Sequence, residues 1–145
     1  MSESEKIVIL LDSFARTEAQ AALAAFAGAG GDASKVVVAP ITELVAKQIT
    51  AEALEAVAGG KWPGGTPRTG AKRSALIAGA DKSNAVALMR CFKSVIPADT
   101  DPAFAMVTET GMGWTVDEYL AHIRKEHDFM KTADPSMDPD MKAVN

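Results

Sequence analysis

Two acidic residues stand where they could act on a ligand. Asp12 follows an apolar run at residues 7–11, and Asp81 follows a second run at residues 74–79. Ser13, Ser83 and Asn84 lie close by in the chain and would add hydroxyl and amide groups. In open α/β sheets, ligands collect beyond the carboxyl ends of parallel strands. On that geometry Asp12 and Asp81 could share a ligand-binding mouth with Thr108, Glu109 and Thr110. Asp and Ser also end strands and cap helices, which is a purely local use. That local use is the first expectation for the pair, and ligand binding is the alternative.

A second constellation is cationic. Lys61, Arg68, Lys72 and Arg73 fall within residues 59–73, where no acidic residue occurs. Clustered positive charge draws anions, so these four side chains are candidate anion-binding residues. Residues 65–74 almost spell a phosphate-binding glycine loop. However, Ala71 separates Gly70 from Lys72, and Arg73 separates Lys72 from Ser74. A phosphate loop also follows a strand and opens a helix, which aims amide donors at the phosphate. This segment follows a helix and precedes a strand, so that motif is excluded. The plainer expectation is a solvated basic linker, with Trp62 packed down as its anchor.

The remaining reactive side chains are isolated. Glu118 and His122 are four apart, so both can reach one point, but no third metal ligand is marked. A helix-stabilising carboxylate–imidazole pair is expected there instead. His127 falls on an apolar stripe in a last helical turn, where a histidine bonded to a carbonyl is expected and a base or pH switch is the alternative. Cys91 has no histidine or second cysteine on its face to lower its pKa, which points to packing. The familiar nucleophile-elbow, dinucleotide, dithiol and zinc-protease motifs are absent. No cofactor or metal is expected.

The elements that would position these groups alternate along the chain. Strands are expected at residues 7–11, 35–39, 74–79 and 104–108, each a short run rich in apolar residues. Pro40 should close the second. Helices are expected from a Thr17 cap to Gly28, near residues 43–48, from a Thr50 cap through Val57, and over residues 83–95. The strongest helix starts at Thr115, because Thr115 and Glu118 form a capping box. At ~100° per residue, Val116, Tyr119, Leu120, Ile123, His127 and Met130 then share one stripe. Residues 132–145 carry two prolines among aspartates and methionines and read as an extended tail.

A shift of 69 places residues 7–11 on 76–80, Asp12 on Asp81 and Leu23 on Phe92, and a gap of four brings Thr50 onto Thr115. Two strand–helix–strand–helix halves, 5–58 and 74–131, are therefore expected, joined by the linker 59–73 into one domain over 1–131. Neither half could bury a sheet face alone.

Composition excludes several classes. The 145 residues carry 15 basic and 19 acidic side chains, a net charge of −4, which argues against sequence-independent binding of nucleic acid. No apolar run approaches the ~20 residues that span a bilayer, so no membrane association is expected. The acidic start lacks the basic and apolar regions of a secretory signal. The lone cysteine suits a reducing compartment, and a cytoplasmic location is expected. Of the residues counted as 48% hydrophobic, 27 are alanine, which favours helices that pack closely.

One stretch has a relative. Phe92-Lys-Ser-Val95, then Phe104-Ala-Met-Val-Thr108, then Gly113-Trp-Thr115 opening a helix that reaches Lys125-Glu-His127, resembles a bacterial family known as a domain of unknown function (number 3783). The resemblance covers residues 75–127. Glu109 stands where the family pattern carries proline, while Pro40 holds the corresponding place in the first half. The resemblance implies a small α/β domain and supplies no catalytic residues.

The expected fold is thus a single α/β domain, with about four strands in a mixed or parallel sheet packed by helices. The expected function is a non-catalytic binding or protein-interaction module, with a protein or small ligand as partner. A small-molecule-binding protein or enzyme using Asp12 and Asp81 is the alternative. Sheet edges would favour a homodimer.

Overall fold

The computed structural model describes residues 6–62, 64–69, 72–97 and 100–132, with side chains described through residue 130. The extended tail expected at 132–145 lies outside them, apart from Thr132 at the end of a helix.

The β-branched run forms β1 (Ile7–Asp12), whose six residues are all buried. That requires cover on both faces, and the alternating side chains divide accordingly. Val8 and Leu10 join one core; Ile7, Ile9 and Leu11 join the other. The chain continues through α1 (Arg16–Gly28), β2 (Val36–Pro40), the single turn α2 (Glu43–Ala46) and α3 (Thr50–Ala58). After the basic segment come β3 (Ser74–Ala78), α4 (Lys82–Ser94), β4 (Ala103–Met106), another single turn α5 (Glu109–Met112) and α6 (Val116–Thr132).

The sheet is mixed, in the order β2-β1-β3-β4. β1 pairs in parallel with β2, β3 pairs in parallel with β4, and the central pair β1–β3 is antiparallel. Each parallel pair is joined by a helix, as a parallel crossover demands. Those helices, α1 and α4, pack together over one face, where Phe26, Leu88 and Phe92 are buried. α3 and α6 cover the other face with Leu54, Val57, Val116 and Ile123. The fold is therefore α/β in three layers, a single domain. No helix among the described residues is long and apolar enough to cross a membrane.

Several boundaries differ from expectation. α1 begins at Arg16 rather than from a Thr17 cap, because the Glu18 carboxylate accepts the Ala15 N–H at 2.9 Å and sets the start earlier. Thr50 is the first residue of α3 and not its cap; its N–H and hydroxyl both bond the Trp114 carbonyl, at 2.8 and 2.9 Å. Pro40 belongs to β2, at an outer strand where a missing N–H is tolerated. α5 takes up Glu109, which the residue pattern places just beyond a strand end. The capping box at α6 is as expected: Glu118 accepts from the Thr115 N–H at 2.9 Å, and Thr115 Oγ1 accepts from the Glu118 N–H at 3.1 Å.

The helix starts recur 66 positions apart, with α3 at 50 and α6 at 116 as one such pair. α1 opens at 16 and α4 at 82; α2 opens at 43 and α5 at 109. The shift of 69 read from the sequence matches Ile7 with Leu76, which face opposite layers.

Candidate functional site

The two expected aspartates are held apart. In the antiparallel register Asp12 pairs with Ser74, whereas Ala78, the residue from which the chain runs on to Asp81, pairs with Val8. Asp12 and Asp81 thus sit at opposite ends of the sheet, since the strands they follow run in opposite directions. Asp81 caps α4, accepting the Asn84 N–H at 2.7 Å. Thr108 caps α5 through the Gly111 N–H at 3.2 Å, and its own N–H donates to the Tyr119 hydroxyl at 3.0 Å. Glu109 is exposed on α5. Of the four candidate ligand-binding residues, Asp81, Thr108 and Glu109 therefore share one end, without Asp12.

Asp12 instead meets the basic segment. The Arg68 N–H bonds the Ile41 carbonyl at 2.9 Å, and Pro67 bridges Thr42, so the segment is docked on the chain leaving β2. From there Arg68 grips the buried Asp12 carboxylate with Nε at 3.3 Å and Nη2 at 2.9 Å, and reaches Asp117 with Nη1 at 3.1 Å. Partial burial pushes the guanidinium pKa down, but bonding to and charge on Asp12 and Asp117 outweigh it, and the net shift is upward. Lys72 lines the same recess of about 420 Å³, with Ser74, Asp117 and Arg124. Arg73 turns elsewhere. It bonds Glu18 at 3.1 and 2.7 Å, and its guanidinium carbon stands 6.0 Å from the Phe14 ring centre. Lys61 is exposed and does not line this recess. The structure thus joins Arg68 and Lys72 with Asp12, and engages Arg68 and Arg73 with carboxylates.

The histidines also find partners that spacing alone did not name. His122 pairs with Glu126 at 3.2 Å rather than Glu118, whose carboxylate is committed to the capping box, and it lies 4.9 Å from the Trp114 ring centre. His127 bonds the Asp101 carboxylate at 2.7 Å, not a carbonyl. Burial pushes the Cys91 thiol pKa up, away from the thiolate form that reacts. Among the described residues no cluster of three metal-capable side chains occurs.

The second half of the chain carries the shared sequence pattern. Residues 73–130 match the family model of a domain of unknown function, DUF3783. The DUF3783 segment runs from the start of β3 nearly to the end of α6, and so supplies β3 and β4 together with Asp101, which pairs with His127 at 2.7 Å and Arg124 at 3.8 Å. No curated protein and no solved structure is significantly similar to the chain.

A further recess lies outside the DUF3783 segment, and no sequence motif marks it. It is a groove of about 450 Å³ between α1 and the outer strand β2. α1 contributes Ala19 and Leu23, β2 contributes Val38 and Pro40, Leu11 and Phe14 form the floor near the strand ends, and Trp62 and Pro67 close it from the basic segment. Its polar side chains are Arg16 and Gln20. Among the described residues Arg16 has no ion pair. The Trp62 Nε1–H is buried without an acceptor. The one sequence signal was Trp62 itself, read as an anchor; it does pack on the core, and its ring also lines the groove.

The corresponding place on the other side of the sheet is filled by larger side chains. Sixty-six residues beyond Val38 stands Phe104, whose ring lies 6.3 Å from that of Phe14 and 6.5 Å from that of Phe92. Those aromatics fill the layer over β3 and β4. Valine at 38 leaves the matching space over β2 open.

Proposed function

We propose that the protein is a non-catalytic binding module that holds a small apolar or amphipathic ligand in the groove between α1 and β2. One observation carries this reading: an open, apolar groove of about 450 Å³ at the carboxyl ends of a parallel strand pair. That volume lies within the roughly 300–1,000 Å³ typical of small-molecule sites, and its place is where open α/β sheets receive ligands. The commitments of the polar groups support the non-catalytic part. Asp81 and Thr108 spend their oxygens on helix amides, and Asp12 spends its carboxylate on Arg68.

The shared offset of 66 supports an origin by duplication, and the single cysteine supports a reducing, cytoplasmic setting. A bacterial source is carried by the family resemblance alone.

The test is a titration of the full chain with Nile red, a neutral apolar fluorophore. Saturable one-to-one binding is expected. Val38→Phe, which copies the filled half, should abolish it while circular dichroism and the thermal melt stay normal. Leu23→Glu, on the opposite wall, should do the same by placing a charge in the groove. Saturable binding that survives in both folded variants would overturn the proposal, as would its absence from the parent chain.

A further inference from the structure

Resting on the groove reading above, we infer that the ligand is a small amphipathic monocarboxylate, with its apolar body along Leu23 and Val38 and its carboxylate at Arg16. Two observations converge on the head group. Arg16 is the groove's single charged lining residue, and it opens α1 with no counter-ion among the described residues. An exposed guanidinium that lines an apolar groove, with no counter-ion among the described residues, selects a carboxylate, which it can bind through two parallel hydrogen bonds.

The chain itself displays the second observation. At the start of α4 the Asp81 carboxylate accepts the Asn84 N–H at 2.7 Å. At the start of α1, 66 positions earlier, the cap position is Ala15, which offers no acceptor. A carboxylate arriving beside Arg16 meets amide donors that no described side chain caps, at the positive end of a 13-residue helix. The neighbouring acids do not compete for Arg16. Glu18 is held by Arg73 and the Ala15 N–H, and Asp12 by Arg68.

The remainder of the groove sets the other end of the ligand. Ala19, Leu23, Val38, Pro40 and the Trp62 ring are apolar, and Gln20 is the one other polar side chain lining it. A short alkyl or aryl carboxylate satisfies both ends; a dicarboxylate would leave its second charge against hydrocarbon.

The experiment compares sodium decanoate with 1-decanol on the full chain by calorimetry, with tryptophan fluorescence as a second signal from Trp62. Decanoate is expected to bind about tenfold more tightly than decanol, the worth of one charge-assisted contact. Arg16→Gln should bring decanoate to the level of decanol and leave decanol unchanged. Equal binding of the two ligands to the parent chain, or a preference that survives Arg16→Gln, would overturn the carboxylate assignment while the groove stands. Failure of both ligands to bind, or binding of both untouched by Val38→Phe, would overturn the groove with it. Sedimentation supplies the last arm: a dimer formed without decanoate and broken by Val38→Phe would give the groove to a second copy and overturn the proposal.

Discussion

The two halves of the molecule build the same elements with different degrees of completion. In the second half, the turn after the strand uses glycine, the helix is capped by an aspartate, and a phenylalanine fills the layer beneath. In the first half the same three places hold Ser13, Ala15 and Val38. Ser13 is left with φ 68°, α1 has no side-chain cap, and a groove stays open. A serine with positive φ is uncommon, and such outliers collect near functional sites. The three departures cluster at one end of one strand pair. Under the proposed function, the second half is scaffold and the first half holds the ligand.

The largest way to break that contrast is to release the basic segment from the first half. Arg68→Ala strands the Asp12 carboxylate, whose side chain is only 6% exposed, and should cost about 3–5 kcal/mol in urea denaturation. Replacing both partners, Asp12→Leu with Arg68→Met, should recover most of that loss, since a buried pair is worth little more than an apolar contact. At the other end of the sheet no such buried ion pair occurs among the described residues; there Tyr119 and Thr108 close the structure with neutral hydrogen bonds.

Exchanging the turn residues should give a lopsided result. Gly79 has φ +82°, and a Cβ there would stand 2.4 Å from the Lys6 carbonyl oxygen. Gly79→Ser should therefore cost more than about 2 kcal/mol, combining the left-handed penalty with a backbone clash. Ser13→Gly relieves the same backbone region but loses a 3.3 Å bond to Asp12 and adds freedom to the unfolded chain. It should change the melting free energy by less than about 1 kcal/mol. Equal costs at the two sites would remove the claim that the first-half turn tolerates a side chain.

Completing the first half should be stabilising. Ala15 has φ −78° and ψ 150°, already the backbone of a cap, so Ala15→Asp needs no rearrangement. A gain of about 1 kcal/mol is expected, matched by a similar loss for Asp81→Ala. The thermal melts of both variants would show it.

Much of this was legible from residue order, because it follows from local rules. The alternation in residues 7–11 and the box at Thr115 and Glu118 each specify an element without help from the rest of the chain. The register between halves was not legible. Apolar strands match one another at many shifts, and the shift of 69 differs by an odd number from the 66 that separates the helix starts, so it matches strand side chains that face opposite layers. The opposite ends of Asp12 and Asp81 follow from the antiparallel β1–β3 pairing, which no local pattern encodes. The groove was invisible for a further reason: it results from the smallness of Val38 beside a helix, and a missing volume leaves no motif.

The smallest effect tests how the first half holds α1 at all. Partial burial pushes the Glu18 carboxyl up, but the Arg73 hydrogen bond, the Ala15 N–H and the Arg73 charge more than offset it, and the pKa lies below its ordinary 4.5. A carboxyl lowered on folding stabilises the native state above its unfolded pKa and loses that contribution as pH falls through the folded value. Stability should therefore decline below about pH 4.5 in part through Glu18. The corresponding residue in the second half, 66 positions on, is Asn84, which has no such titration. Glu18→Gln makes the two halves alike, and should flatten the decline between pH 4.5 and 3 by less than about 1 kcal/mol, since the pair is partly open to solvent. Denaturation curves at those two pH values decide it, because an unchanged slope in the variant would assign the acid sensitivity to other carboxylates.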